Sequence, residues 1–311
     1  VTSVDTLVAD GATLTVDGSG LAAGQTLTWT GSAETNGRFN ITGGADADTI
    51  IGGTGGDTIS GSGGSDSITS GSGNDSISGG AANDTLVFGV NLTSSDTIDG
   101  GAGTGDILTF TDANGASDDL NRVTNVETIT LGNADTNVTS VDTLVADGAT
   151  LTVDGSALTG TNNLTWDGSA ELDGSFQITG SDQGDNITGG ADADTIIGGT
   201  GADTINGEDG ADTIDGINGA NSLSGGAGND TITGGVGVDT ISGGDGADAI
   251  LSETGLDILT GGAGNDTFTI VANTSQFIYS SIQDAANGDI LTFADQGTEV
   301  DNGQVTLGSN A

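Results

Sequence analysis

Ten nine-residue blocks follow one another without slippage over residues 180–269, and five more occupy residues 43–87. Typical blocks read GGTGADTIN, GGAGNDTIT, GGDGADAIL and GGAGNDTFT. Asp recurs at the sixth place: Asp48, Asp57, Asp66, Asp75 and Asp84 in the shorter tract, then Asp185, Asp194, Asp203, Asp212, Asp230, Asp239, Asp248, Asp257 and Asp266 in the longer one. Asn221 alone interrupts the series. A large apolar residue recurs at the eighth place, as in Ile50, Ile59, Ile68, Ile196, Ile214, Ile232 and Phe268. Paired glycines every nine residues oppose a helix, and no apolar stripe returns at a spacing of 3.6. Each block divides instead into a Gly-rich turn of six residues, where positive φ is accessible, and a three-residue strand with one side chain facing inward. Two blocks close one flattened coil, and coils stack by parallel pairing at about 4.8 Å. The expected fold is all-β: a right-handed parallel β-helix or β-roll solenoid with Gly-Asp turns, in two tandem copies.

Such stacking sets carboxylate over carboxylate. The chain carries 45 acidic and 2 basic residues, a net charge of −43. Two charges about 5 Å apart repel by about 3 kcal/mol at an effective dielectric of 20. A hard divalent cation answers this need. Calcium accepts several oxygen ligands in flexible geometry, and Gly-rich turns expose carbonyls beside the aspartates. Its binding energy then becomes folding energy. A disordered linker is the competing reading, given 59 glycines and few aromatics. Disorder, however, does not require an apolar residue at every ninth position.

GGAGNDTIT, GGTGGDTIS and GGAGNDTFT fit the pattern GGxGxDxUx, with U large and apolar. On these residues the chain resembles the RTX (hemolysin-type) calcium-binding proteins. The resemblance implies a parallel β-roll holding multiple calcium ions between loops stacked on one edge. The ligands it implies are the sixth-place aspartates named above, together with turn carbonyls. Asn221 lacks the charge, while Ser70, and Ser252 with Glu253 and Thr254, depart from the paired glycines. Asp46 and Asp192 stand where the fourth-place Gly belongs, either adding a ligand or distorting the turn.

Composition excludes several classes of function. Two basic residues cannot build a nucleic-acid patch or a surface for anionic lipid. No apolar run approaches a membrane span. Without His or Cys there is no Ser–His–Asp or Cys–His machinery, no usual zinc site and no disulfide framework. Paired carboxylates such as Glu34 and Glu171 leave sugar cleavage conceivable, but ten aromatics and two arginines make a poor cleft, and no enzyme activity is expected. Trp29 and Trp166 read as core of the opening coils, or as carbohydrate platforms. The recurrent DTI places Thr49, Thr58, Thr85, Thr195, Thr204, Thr213, Thr231 and Thr240 on outer strand faces, solvated or forming a flat water-ordering array.

Residues 1–19 recur identically as 138–156, and the likeness continues from Trp29/Phe39 to Trp166/Phe176. The expected divisions are therefore 1–42, metal-free β-helical strands; 43–87, the five-block roll; 88–137, a closing β segment; 138–179, a copy of the opening; 180–269, the ten-block roll; and 270–311, a second closing segment. The opening segments alternate as strands and are read as longer coils of the same solenoid, with a β-sandwich as the other option. Residues 277–286 are expected to form one short helix. Residues 307–311 match Leu131 to Asp135, so the chain stops where a further copy would start. This, with the missing initiator Met, suggests a processed or excerpted chain, one period of an array or a subunit that stacks head to tail. The expected role is a secreted, calcium-dependent structural protein of the bacterial surface. The resemblance to RTX-containing surface-layer proteins implies self-assembly into a layer or filament, export by type I secretion, and copies of itself, or surface polysaccharide, as partners. The alternatives are an extender or ligand-binding (ice or carbohydrate) segment of an RTX adhesin, and the secretion module of an extracellular enzyme.

Overall fold

A computed structural model describes residues 1–3, 7–112, 120–271, 280–285 and 288–294. Among the described residues every regular element is a short strand, each paired strand runs parallel to its neighbours, and no helix occurs. The chain divides into two compact units, Val1–Asp154 and Gly155–Ala311. Each is a parallel β-solenoid.

In the second unit, successive nonapeptides deliver strands alternately to two sheets. Thr195–Ile197, Thr213–Asp215, Thr231–Thr233 and Ala249–Leu251 stack in one; Thr204–Asp209, Ser222–Ala227, Thr240–Asp245 and Ile258–Ala263 stack in the other. The register Thr195↔Thr213↔Thr231↔Ala249 advances 18 residues per coil. Within each strand the second, apolar residue is buried while the first is exposed, a Thr or Ser in all but Ala249–Leu251 and Ile258–Ala263. Ile196, Ile214, Ile232, Ile250 and Phe268 thus form a continuous interior column, each at most 1% exposed. Like sits on like, so each branched side chain meets the same shape one coil away.

The first unit repeats this with Thr49–Ile51, Ser67–Thr69, Thr85–Gly89 and Ile107–Phe110 in one sheet, and Arg38–Thr42, Thr58–Gly63, Ser76–Ala81 and Thr97–Ala102 in the other. Its opening coils are wider: Trp29 pairs with Ile50, 21 residues on, and Thr13 with Arg38, 25 on. Tryptophan fills the added width. Trp29 and Trp166 are 4% and 1% exposed, each edge-on to Phe39 or Phe176 at 5.3 and 5.5 Å. Both are therefore core, not platforms for sugar. Glu34 is also interior, its carboxylate accepting the Val8 and Gly37 N–H groups.

The two tracts differ in parity. Five blocks separate Arg38–Thr42 from the end of the first tract, so that strand lies in the sheet opposite Thr85–Gly89. Ten blocks separate Ser175–Thr179 from the end of the second, so that strand shares a sheet with Thr267–Val271. The helix expected over 277–286 is corrected where it is described. Ser281–Ile282 is a strand paired in parallel with Ile258–Leu259, because the inward spacing of Leu259 and Ile282 continues the column; residues 280 and 283–285 are not helical either, and 277–279 and 286 lie outside the described residues.

Tight coils leave little room at the turns. A Cβ placed on Gly228 would lie 1.4 Å from the Gly210 carbonyl oxygen one coil below, and Gly228 has φ of 147°. Gly228→Ala should therefore lower stability by about 1–3 kcal/mol from backbone strain alone, with the steric overlap added. Melting in millimolar calcium measures this. Gly20→Ala is the control, since nothing lies within 4 Å of that position.

Candidate metal centre

All fourteen sixth-place aspartates point into the turn edges and are at most 3% exposed. They form vertical ladders. The backbone N–H of Asp194 donates to Oδ1 of Asp212 at 2.8 Å, Asp212 donates to Asp230, Asp230 to Asp248, and Asp248 to Asp266 at 3.0 Å. On the other edge Asp185 donates to Asp203, Asp203 to Asn221, Asn221 to Asp239, and Asp239 to Asp257. In the first unit Asp48 donates to Asp66 and Asp66 to Asp84, while Asp57 donates to Asp75. One carboxylate oxygen per rung is thereby committed to the neighbouring coil.

The second oxygen separates the rungs into two kinds. At Asp48, Asp57, Asp185 and Asp194 it accepts the N–H of the residue four earlier, at 2.5–2.8 Å. These are the first two turns of each tract, and both their oxygens are occupied by the chain itself. Asp257 accepts the Ser280 hydroxyl at 2.9 Å. At Asp66, Asp84, Asp203, Asp212, Asp230, Asp239, Asp248 and Asp266 the Oδ2 atom is buried with no hydrogen-bond partner. The backbone accounts for the change. From the third block onward the second turn place takes positive φ, as at Gly199, and so do most fourth places, as at Gly201, though not Gly237 or Gly255. In the two opening turns, Gly190 and Asp192 do not. Asp46 and Asp192 sit in those opening turns. Asp46 accepts the Gly24 N–H at 2.6 Å and stays outside the ladder; Asp192 is exposed.

Beside Asp66, Asp84, Asp212, Asp230, Asp239 and Asp248 the orphaned oxygen and a carbonyl of the next coil flank the same glycine. The point where a Cβ of Gly207 would sit is 2.1 Å from Asp212 Oδ2 and 2.5 Å from the Gly225 carbonyl oxygen. No donor lies between them. At the Asn221 turn a donor does. The Nδ2 group occupies the equivalent place beside Gly216 and donates to the Gly216 and Gly234 carbonyls, both at 3.3 Å. A neutral amide there satisfies the oxygens that elsewhere meet a carboxylate. Electrostatics agree. Burial, reinforced by the aspartates above and below, pushes Asp66, Asp75 and Asp212 up to about 7. Burial likewise raises Asp84, Asp194, Asp203, Asp239 and Asp248 to about 6. Carboxylates this costly to ionise, aimed at carbonyls, make an all-oxygen donor set that fits calcium.

The ladder also reaches residues the nine-residue spacing did not single out. Asp75 donates to Asp96 Oδ1 and Asp84 to Asp106 Oδ1, both at 2.7 Å. Asp266 donates to Asp289 at 3.0 Å. The sequence signal at Asp106 is the GGAG opening of residues 100–103 followed by one inserted residue.

A family model described as the RTX calcium-binding nonapeptide repeat (4 copies) matches residues 40–59, 60–90, 179–214, 215–250 and 243–269. The two tracts are RTX repeats. RTX nonapeptide repeats bind calcium at multiple sites, and in these RTX rolls the orphaned Oδ2 atoms are buried acceptors that no hydrogen bond of the described residues meets. No curated protein matches the chain.

Within the RTX ladder, Asn221 is a built-in exception and can be reversed. Asn221→Asp should remove two donors and bury an extra charge, lowering stability at limiting calcium by about 1–3 kcal/mol. The number of calcium ions released on unfolding should rise by one. Melting curves over graded calcium measure both; an unchanged calcium dependence would count against the assignment.

Proposed function

We propose that this chain is a secreted structural protein of the bacterial cell surface that folds on meeting calcium and assembles with copies of itself into a layer or filament. One observation carries the reading. Buried carboxylate ladders run through a chain of net charge −43, so its order is tied to a cation supplied from outside. Calcium-poor cytosol would leave such a chain expanded, whereas an extracellular medium with millimolar calcium would fold it. RTX repeat proteins are typically secreted, and the β-roll is typically structural and non-catalytic, which supports the same role.

Assembly draws support from the charge that stays outside. Asp209 and Asp245 are exposed at the turns of the second unit, where further calcium can bridge one copy to another or to surface polysaccharide. Negative-stain electron microscopy with calcium, and again after chelation, tests this. Ordered sheets or fibres that dissolve in chelator are expected. A monodisperse particle in both conditions would instead favour an extender segment of an RTX adhesin or a secretion module.

A further inference from the structure

The nonapeptide match ends at residue 90, yet the carboxylate ladder continues past it. Residues 100–108 read GGAGTGDIL, one residue longer from the paired glycines to Asp than the repeats before them. The extra residue is absorbed against the coil below. Thr104 N–H donates to Asn83 Oδ1 at 3.2 Å, and Ile107 and Leu108 still pair in parallel with Thr85 and Leu86. Asp106 consequently lands on the rung above Asp84. It takes the Asp84 N–H on Oδ1 at 2.7 Å, and its own N–H donates to Glu127 Oε2 at 2.7 Å.

Asp106 is 0% exposed, and its Oδ2 has no hydrogen-bond partner. A Cβ built on Gly103 would lie 2.7 Å from both that oxygen and the Ala82 carbonyl oxygen. Carboxylate and carbonyl thus converge on one small volume that glycine alone leaves open. Asp96, the other aspartate rung beyond the first tract, is different: its Oδ2 accepts both the N–H and the hydroxyl of Thr93, at 2.8 and 3.1 Å. Two acidic rungs of like burial therefore differ in whether an oxygen is left over.

We propose that Asp106 is a ligand of an additional divalent cation of the calcium type, held with the Ala82 main-chain carbonyl on the coil that follows the first RTX tract. Glu127 closes the ladder by anchoring the Asp106 amide. The site needs an open carboxylate oxygen on a rung, not the nine-residue motif, which is why repeat spacing does not find it. It rests on calcium binding by the repeats, and the test separates the two.

Native mass spectrometry of the full chain in calcium counts bound ions as integers. Asp106→Asn should carry one ion fewer than the wild type, while Asp96→Asn should carry the same number. Asn221 shows that an amide can hold a rung, so the Asp106→Asn chain is expected to fold. An unchanged count in Asp106→Asn would overturn the proposal while leaving the repeats' binding intact; a wild type with no bound calcium would overturn both. Should Asp106→Asn fail to fold, anomalous scattering from a calcium-grown crystal of the wild type decides. A peak beside Asp106 Oδ2 supports the site and its absence rules it out.

Discussion

Stripped of calcium at pH 8, the chain should lose its cooperative β signal in far-ultraviolet circular dichroism and expand towards a radius of gyration of about 60 Å, that of an unfolded chain of this length. The reason lies in the rungs with an orphaned Oδ2. Coils stack about 4.8 Å apart, and neighbouring ionised carboxylates at that spacing repel by about 3 kcal/mol each at an effective dielectric of 20. Folded domains are stable by only about 5–15 kcal/mol in total. Several uncompensated rungs, from Asp66 and Asp84 in the first unit to Asp212, Asp230 and Asp248 in the second, exceed that margin. Restoring millimolar calcium should restore the signal, and small-angle scattering should show the collapse. An identical melting transition in chelator and in calcium would sink both the metal role of the ladders and the function built on it.

Acid should partly stand in for calcium. The ladder aspartates have folded-state pKa values raised above their ordinary 3.8, to about 7 at Asp66, Asp75 and Asp212 and about 6 at Asp84, Asp203, Asp239 and Asp248. The folded form therefore binds more protons than the unfolded form between those values. Its stability is greatest below about pH 4 from this source, and is lost as pH rises through 6 to 7. In metal-free buffer, β signal should grow as pH is lowered from 8 to 5. In calcium the slope should reverse over the same window, because protons displace the ion. A metal-free chain equally disordered at pH 8 and pH 5 would show that rung repulsion does not control folding.

The repeat made much of this legible. The period fixed which residue of each block points inward, because parallel stacking at constant register demands the same side chain at the same place in every coil. Asn221 is visible in the sequence as a missing charge, whereas only the structure reveals the two hydrogen bonds donated in its place. The division between closed and open rungs was hidden. Asp57 and Asp66 look alike in sequence, but Asp57 sits in an opening turn whose second and fourth places have no positive φ, so Gly53 N–H reaches its oxygen. Asp96 and Asp106 were hidden for another reason. Longer loops break the spacing while the ladder tolerates them. The short strand Ser281–Ile282 is not legible in the local pattern, which cannot register a column of side chains already stacked beneath it.

The odd and even block counts have one more consequence. A single nonapeptide is half a turn of the solenoid, so adding or deleting one swaps which wall carries everything downstream, while adding two merely adds a coil. Duplications in steps of nine therefore act as a toggle: in the first unit the strand bearing Phe39 and the strand ending at Phe110 occupy opposite walls, and in the second Ser175–Thr179 and Ile290–Ala294 occupy the same one. Near-identical copies of a sequence can in this way show the outside world different faces without changing a surface residue.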